Sequence, residues 1–144
     1  MIKVKYNEFQ VGQTFEAEPV TITKEDIMEF ALKYDPQFMH INEKKARDGM
    51  FGDIIASGMH TLSATWNSWV QLGIFGDDVI AGVGIEKVKF RRPVFPNDCL
   101  SVKIEVIDME QRKPDCGAIT LYLSTYNPKK ELVLEAEVTG LIQV

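Results

Sequence analysis

The sequence has little of the material that marks several common classes of protein. It contains only two cysteines, Cys99 and Cys116, which lie far apart and match no metal-binding spacing. Neither a disulfide scaffold nor a zinc module is therefore expected. No run of lysine or arginine forms a basic tract, and the net charge is -5. Both facts argue against nucleic acid as a partner.

Long apolar segments are also missing. The opening residues, MIKVKYNEFQ, contain no apolar centre of a secretion signal. No apolar run approaches the roughly 20 residues that a membrane-spanning helix needs. We therefore expect a cytoplasmic protein with free thiols and no membrane partner.

What is present is ordinary for a globular protein. Of the 144 residues, 45% are hydrophobic and 26% are charged, and a chain of this length can bury one core. We find no internal repeat, linker or low-complexity segment. The sequence therefore predicts one domain over residues 1–144.

The first half of the chain contains helix signals. The opening FQVGQTFEAEPVTIT is expected to be extended, with a turn at Gly12. Thr23 is a suitable N-cap, and Asp26 completes a capping box. Pro36 disfavours helical geometry at the residue before it, so this helix should end at Asp35. Its apolar face is predicted to comprise the residues at helical spacing: Ile27, Phe30, Ala31 and Tyr34.

From about Gly58 to Leu72 the sequence is largely apolar on several faces, which predicts a buried helix. The second half of the chain then changes character, with four strand-like segments separated by the turn signals PND, RKPDCG and NPKK. Helices followed by a run of strands indicate an α+β fold, in which an antiparallel sheet packs on one apolar helix.

The segment YDPQFMHIN places Asp35 directly before a proline and His40 five residues later. Each has a plain structural interpretation, since Asp-Pro is a common turn and a lone histidine is usually packed or on the surface. A carboxylate just past a helix C-terminus meets the negative end of the dipole, so helix stability does not explain Asp35. Together the two residues suggest an acid/base pair near neutral pH.

A second candidate is the start of the apolar helix. Ser57 is a plausible N-cap, and Gly58 would let an oxygen approach the free N–H groups of the first turn, as an oxyanion hole requires. His60, just inside this helix, is interpreted as a structural histidine. Arg91 and Arg92 either hold a phosphate at a pocket mouth or are a solvated pair. Two tryptophans are assigned to the core or a pocket wall: Trp66 and Trp69.

Four segments in order resemble the MaoC-like acyl dehydratase family, close to its (R)-specific enoyl-CoA hydratases. FQVGQTF is similar to the first strand of that family, and YDPQFMHIN to its catalytic segment. GDIIASGMHT is similar to its approach to the central helix, and VKFRRPVFPND to a later strand. His40 and Gly58 are eighteen residues apart, as in the family pattern.

The resemblance implies a hotdog fold, in which an antiparallel sheet wraps around one long helix, and a homodimer or larger homo-oligomer. It implies that Asp35 and His40 are catalytic and that the Gly58 N–H holds the thioester carbonyl. The reaction would hydrate trans-2-enoyl thioesters of CoA or an acyl carrier to (R)-3-hydroxyacyl thioesters, or reverse this. No metal or redox cofactor is implied, since the thioester already acidifies Cα.

The sequence departs from the best-known hydratase pattern at two positions. Gln37 follows Pro36 where that pattern has Asn-Pro, and Ser57 replaces a histidine before Gly58. The helix residue that supports the catalytic aspartate is also not obvious, with Ser63 and Thr65 as candidates.

Two alternatives stay open at this point. A hotdog thioesterase commonly activates water with a carboxylate on the central helix, and residues 58–72 contain none. A non-catalytic acyl-CoA-binding module would keep the fold without needing both Asp35 and His40.

Overall fold

Six antiparallel strands form one sheet in the structure, a computed structural model that describes residues 3–144. The strands run in the order β1-β4-β5-β6-β3, and β2 pairs with the first three residues of β4, just before the segment of β4 that pairs with β1. Their bounds are β1 Thr14–Glu16, β2 Val20–Ile22, β3 Val79–Phe90, β4 Asp98–Lys113, β5 Cys116–Tyr126 and β6 Leu132–Gln143.

The helices lie in the first half of the chain. They are α1 Lys24–Tyr34, α2 Phe38–Ile41, α3 Glu43–Arg47 and α4 Gly58–Gln71, with single 3-10 turns at Tyr6–Glu8 and Gly76–Asp78. The longest of them, α4, packs against β4, β5 and β6. This is the α+β hotdog architecture, so the expected fold class is confirmed. No helix within residues 3–144 combines the length and apolarity needed to cross a bilayer.

The second-half strands follow the predicted segments closely. In β4 the alternating residues are fully buried, while those between them face outward. Period-2 alternation therefore identified the side of the sheet that faces the core. The buried set is Leu100, Val102, Ile104 and Val106.

Helix α1 is also as predicted at its N-terminus. Thr23 Oγ1 accepts from the Asp26 N–H at 3.1 Å, and Asp26 Oδ2 accepts from the Thr23 N–H at 3.2 Å. On the predicted apolar face Ile27 and Ala31 are buried, whereas Tyr34 at its end is 66% exposed. The Tyr34 ring lies 5.1 Å from that of Phe30, its neighbour on this face.

Helix α4 is present, but it is not buried on several faces as its apolarity suggested. Met59 and Val70 are more than half exposed. The buried stripe of the helix consists of three small polar residues and one tryptophan: Thr61, Thr65, Ser68 and Trp69. Small side chains let the helix lie close to the strands, and the Thr65 hydroxyl is satisfied by that of Thr125 at 2.6 Å.

Candidate active site

The turn between α1 and α2 brings Asp35 and His40 together. Helix α1 stops at Tyr34, and Asp35 is its C-cap, with a non-helical φ of -154° and ψ of 67° before Pro36. The Gln37 N–H then bonds to the Asp35 carbonyl at 2.7 Å, which closes a tight turn. The single-turn helix α2 carries His40, whose Nε2 lies 3.4 Å from Asp35 Oδ2. The predicted acid/base pair therefore meets in space.

The other ring nitrogen of His40 fixes the tautomer. Nδ1 lies 2.6 Å from the Ile55 carbonyl oxygen. A carbonyl can only accept, so Nδ1 carries the proton and Nε2 of the neutral ring presents a lone pair. The Ile55 N–H bonds to the Met39 carbonyl at 3.0 Å, which ties this segment to α2 and holds the acceptor in place. The His40 side chain is 7% exposed, so only its Nε2 edge is available for chemistry.

Two side chains hold the Asp35 carboxylate. Ser57 Oγ donates to Oδ2 at 2.7 Å, and Gln37 Nε2 donates to Oδ1 at 2.6 Å. The bond from Ser57 lowers the pKa of Asp35 most, followed by that from Gln37. Partial burial acts in the opposite direction, and the charge of His40 adds a smaller lowering. Asp35 is therefore held as an oriented carboxylate beside Nε2.

Ser57 has a second role that the sequence indicated. Its Oγ accepts from the Met59 N–H at 3.2 Å, so it is the N-cap of α4 as predicted. Its bond to Asp35 was not predicted. The candidates proposed for that role have other partners, since Ser63 bonds to the Met59 carbonyl and Thr65 to Thr125.

Gln37 was also missed as part of the site. Its place in the Asp-Pro-Gln turn was the available signal, because an amide two residues after an aspartate is within reach of the carboxylate once the turn closes.

Gly58 opens α4 next to this pair. The first backbone bond of the helix runs from the Thr61 N–H to the Ser57 carbonyl at 3.1 Å, and the Met59 N–H is capped by the Ser57 hydroxyl. Within residues 3–144 the Gly58 N–H donates no hydrogen bond to the chain. This donor remains available at the positive end of the helix dipole.

Phe90, at the end of β3, gives Gly58 a packing reason as well. A Cβ at position 58 would lie 2.8 Å from the Phe90 ring, which is shorter than carbon atoms tolerate. A side chain at position 58 would therefore displace the Phe90 ring from its place over the start of α4.

A cavity of about 320 Å³ joins these elements. His40, Gly58 and Thr61 line it, together with mainly apolar side chains, and Arg91 and Arg92 also contribute. Neither tryptophan is among the lining residues; Trp69 lies in the core and Trp66 packs against it. The apolar part of the lining includes Phe51, Ile55, Phe90, Val94 and Leu134.

His60 lies outside this cavity. Its ring stacks on that of Phe30, with centroids 4.7 Å apart and an angle of 10° between the planes. Burial lowers the pKa of His60, and the nearby Asp26 only partly opposes this. The structural interpretation of His60 is therefore supported. In the part of the chain that the structure describes, no cluster of three His, Cys, Asp or Glu side chains could hold a metal ion.

An antiparallel sheet around one helix, with an Asp–His pair and a free helix N-terminus at a shared cavity, defines a hotdog protein of the MaoC type. The sequence model described as "MaoC like domain" matches residues 7–127. The chain belongs to this family.

The chain is also similar to individual proteins. The chain is 42% identical over 140 residues to the uncharacterized protein YdeM of Bacillus subtilis, covering 97% of this chain and 99% of YdeM. It is 34% identical over 87 residues to 3-hydroxyacyl-thioester dehydratase Z of Mycobacterium tuberculosis, covering 59% of this chain and 56% of that protein. A solved structure described as a monoamine oxidase regulatory protein, from Archaeoglobus fulgidus, superposes with a TM-score of 0.90 at 34% identity. That superposition covers 98% of this chain and 95% of the other.

Proposed function

We propose that the chain is a hydro-lyase that adds water to trans-2-enoyl thioesters, giving (R)-3-hydroxyacyl thioesters, or catalyses the reverse dehydration. One observation carries this proposal. Asp35 Oδ2 lies 3.4 Å from His40 Nε2, and His40 lines the same cavity as Gly58, the first residue of α4. A relative described as a 3-hydroxyacyl-thioester dehydratase supports the reaction class.

The polarity of the pair suits one water molecule. With its proton on Nδ1, neutral His40 offers a lone pair at Nε2, and ionised Asp35 offers another at Oδ2. A water molecule can donate two hydrogen bonds, so one water can bond to both of these neighbouring acceptors. Such a water would be oriented by both groups before it reacts.

The reaction then balances without a further reagent. The water oxygen bonds to Cβ of the enoyl thioester while one of its protons passes to His40 Nε2. The Cα=Cβ electron pair moves toward the thioester carbonyl, and Asp35 stabilises the imidazolium that forms. The proton on Nε2 is then delivered to Cα, so the enzyme returns to its starting state.

Gly58 would stabilise the charge that develops on the thioester oxygen. Its N–H is free and lies at the positive end of α4. A donor fixed in place before the reaction stabilises an enolate oxygen without reorganisation. Because the Phe90 ring occupies the side-chain space of Gly58, the thioester oxygen must approach from the cavity side.

The alternatives have less support. Helix α4 has no carboxylate between Gly58 and Gln71 that could activate water as in a hotdog thioesterase. A purely binding role leaves the hydrogen bonds that hold Asp35 ionised beside His40 without a purpose. The apolar lining fits a hydrocarbon acyl chain, carried on CoA or an acyl-carrier protein.

We further propose that the chain acts as a homodimer that pairs through β3. This strand is at the edge of the sheet, and its residues 79–87 are all exposed, including several large apolar ones. An exposed apolar edge strand is an open template for pairing. A second copy presents the same edge, and two copies of one strand pair antiparallel about a two-fold axis. The apolar residues concerned are Val79, Ile80, Val83 and Ile85.

The reaction is tested by following the enoyl-thioester absorbance of crotonyl-CoA and longer trans-2-enoyl-CoAs, with free thiol measured in the same sample. We expect absorbance loss without thiol release, and an (R)-3-hydroxyacyl product by chiral chromatography. Thiol release would identify a thioesterase. Binding without turnover on every chain length would identify a binding module.

A further inference from the structure

Two arginines interrupt the apolar lining of the cavity. Arg91 and Arg92 directly follow β3, and they are the only arginine or lysine residues among the described residues that line it. Their side chains are 51% and 56% exposed. Both therefore lie on the solvent side of the lining, whereas the apolar lining residues Val94, Val133 and Leu134 are buried.

Neighbouring carboxylates orient the two arginines. Arg91 Nε donates to Glu135 Oε2 at 2.7 Å, and Glu135 also accepts from the Tyr122 hydroxyl at 3.2 Å. Arg92 Nη1 lies 3.3 Å from Glu131 Oε2. Arg91 uses only its Nε in these contacts, so its two terminal nitrogens remain available. A guanidinium held through one edge can bind an anion through the other.

The arrangement selects a ligand with an apolar end and an anionic end. The interior would take the acyl chain, and the mouth would take the anion. A carboxylate on the acyl chain itself does not fit, because the cations are at the solvent side of the cavity rather than at its base. The anion must therefore belong to the carrier on the other side of the thioester.

We propose that Arg91 and Arg92 bind the phosphate of a 4′-phosphopantetheine arm, the chemistry that CoA and acyl-carrier proteins share. This inference rests on the proposed function, since it takes the ligand to be an acyl thioester. The arginines act on binding of the carrier arm and take no part in the chemistry at Cα and Cβ.

The test compares two substrates that differ only in one phosphate, crotonyl-4′-phosphopantetheine and crotonyl-pantetheine. Arg91→Gln and Arg92→Gln are each expected to raise KM for the phosphorylated substrate about tenfold, the size of a solvent-exposed charged hydrogen bond. Both variants leave kcat unchanged and leave kcat/KM for crotonyl-pantetheine unchanged. High salt raises KM of the wild type for the phosphorylated substrate only.

Lys103→Gln is the matched control. Lys103 lies on β4 and pairs with Glu16 at 4.0 Å, and it neither lines the cavity nor belongs to the β3 edge. Its substitution is expected to leave KM and kcat unchanged for both substrates. Crotonyl-CoA carries the same phosphate, so its kcat/KM should fall in the arginine variants at least as much as that of crotonyl-4′-phosphopantetheine. The kcat/KM for a crotonyl-carrier protein should fall too.

If the arginine variants lose kcat/KM equally on crotonyl-4′-phosphopantetheine and crotonyl-pantetheine, the inference is overturned while the proposed hydratase activity stands. If the wild type turns over neither substrate, the proposed function fails, and calorimetric titration with CoA and with pantetheine decides the inference separately. Binding of CoA that is weakened in the arginine variants supports the site. Binding that is the same in wild type and variants contradicts it.

Discussion

Ser57 Oγ donates a 2.7 Å hydrogen bond to Asp35 Oδ2 and accepts a 3.2 Å bond from the Met59 N–H. One hydroxyl therefore links the carboxylate of the proposed acid/base pair to the first turn of α4, where the Gly58 N–H is free. The two residues are 22 positions apart in the chain. Through this bond the position of Asp35 is fixed relative to the helix N-terminus.

We predict that Ser57→Ala raises the pKa of the Asp35 carboxyl, as measured by NMR titration of that side chain. The bond from Ser57 is the largest of the effects that lower the pKa of Asp35, so its loss raises that pKa. As pH falls, the variant therefore loses its ionised carboxylate at a higher pH than the wild type does. We also expect kcat to fall by about tenfold, as for the loss of a hydrogen bond to a charged group.

Two further variants separate this effect from helix capping. Ser63→Ala removes a hydroxyl on the same helix that bonds only to the Met59 carbonyl, and it should leave the titration of Asp35 unchanged. Ser57→Gly keeps most of the capping stability but not the donor, so it should raise the pKa of Asp35 as Ser57→Ala does. An unshifted pKa of Asp35 in both Ser57 variants would remove Ser57 from the site.

Gly58→Ala should destabilise the protein through Phe90. A Cβ at this position meets the Phe90 ring at 2.8 Å. Because that ring is 55% exposed and can shift, we expect the free energy of unfolding to fall by about 1 kcal/mol, the lower end of the cost of overpacking. The second substitution Phe90→Ala removes the clash and should recover most of that free energy, as measured by urea denaturation. Because the backbone N–H persists, we expect kcat to recover with it.

Gly82→Ala is the control for this pair, since nothing lies within 4 Å of a Cβ at that position. It should be neutral in the same denaturation experiment. A Gly58→Ala variant as stable as wild type would contradict the packing role of this glycine.

His60 should make stability depend on pH without affecting catalysis. Burial against Phe30 lowers the pKa of His60 below its usual value of about 6.5. A lowered pKa in the folded state means that this stability is fully present above about pH 6.5 and is lost as pH falls toward the folded-state pKa. His60→Phe keeps an aromatic ring on Phe30 and removes the titration.

The measurement is the free energy of unfolding of wild type and His60→Phe at pH 7.5 and pH 5.5. The free energy of unfolding should fall more between pH 7.5 and pH 5.5 for the wild type than for the variant, because the other groups titrate equally in both. We expect the same kcat at pH 7.5, since His60 does not line the cavity. Parallel changes in the two proteins would show that His60 is not buried as a neutral ring.

Val83→Lys should convert the proposed dimer to a monomer in light scattering. It places a charge in the middle of the exposed edge strand β3, where pairing with a second copy would bury it. Val11→Lys is the control, because Val11 is at least as exposed but lies in the turn before β1. An unchanged molar mass for Val83→Lys, equal to that of a wild-type dimer, would place the interface elsewhere.

Local signals in the sequence predicted most of the fold. Alternation in β4 marked its buried residues, and the capping box at Thr23 with the proline after Asp35 marked both ends of α1. These signals depend only on neighbours along the chain. Apolarity alone did not reveal that α4 meets the sheet on one stripe, or that β3 lies at the edge, since VIAGVG has the composition of a buried strand.

The site was predictable only in part. The resemblance and the short spacing in YDPQFMHIN indicated Asp35 and His40, and the structure brings them together. The acceptor for His40 Nδ1 is a backbone carbonyl at Ile55, and every residue has such a group, so no sequence signal marks it. The bond from Ser57 to Asp35 depends on how the loop after α3 folds back, which only the three-dimensional structure shows.

The central claim is that Asp35 and His40 act together on water at an enoyl thioester. The most direct measurement is the rate of absorbance loss on a trans-2-enoyl-CoA that the wild type hydrates, compared between wild type, Asp35→Asn and His40→Ala. The account predicts that each variant keeps the wild-type far-ultraviolet circular dichroism and loses about two or more orders of magnitude in kcat, as removal of an acid/base group does. A folded His40→Ala variant with the wild-type rate would contradict it.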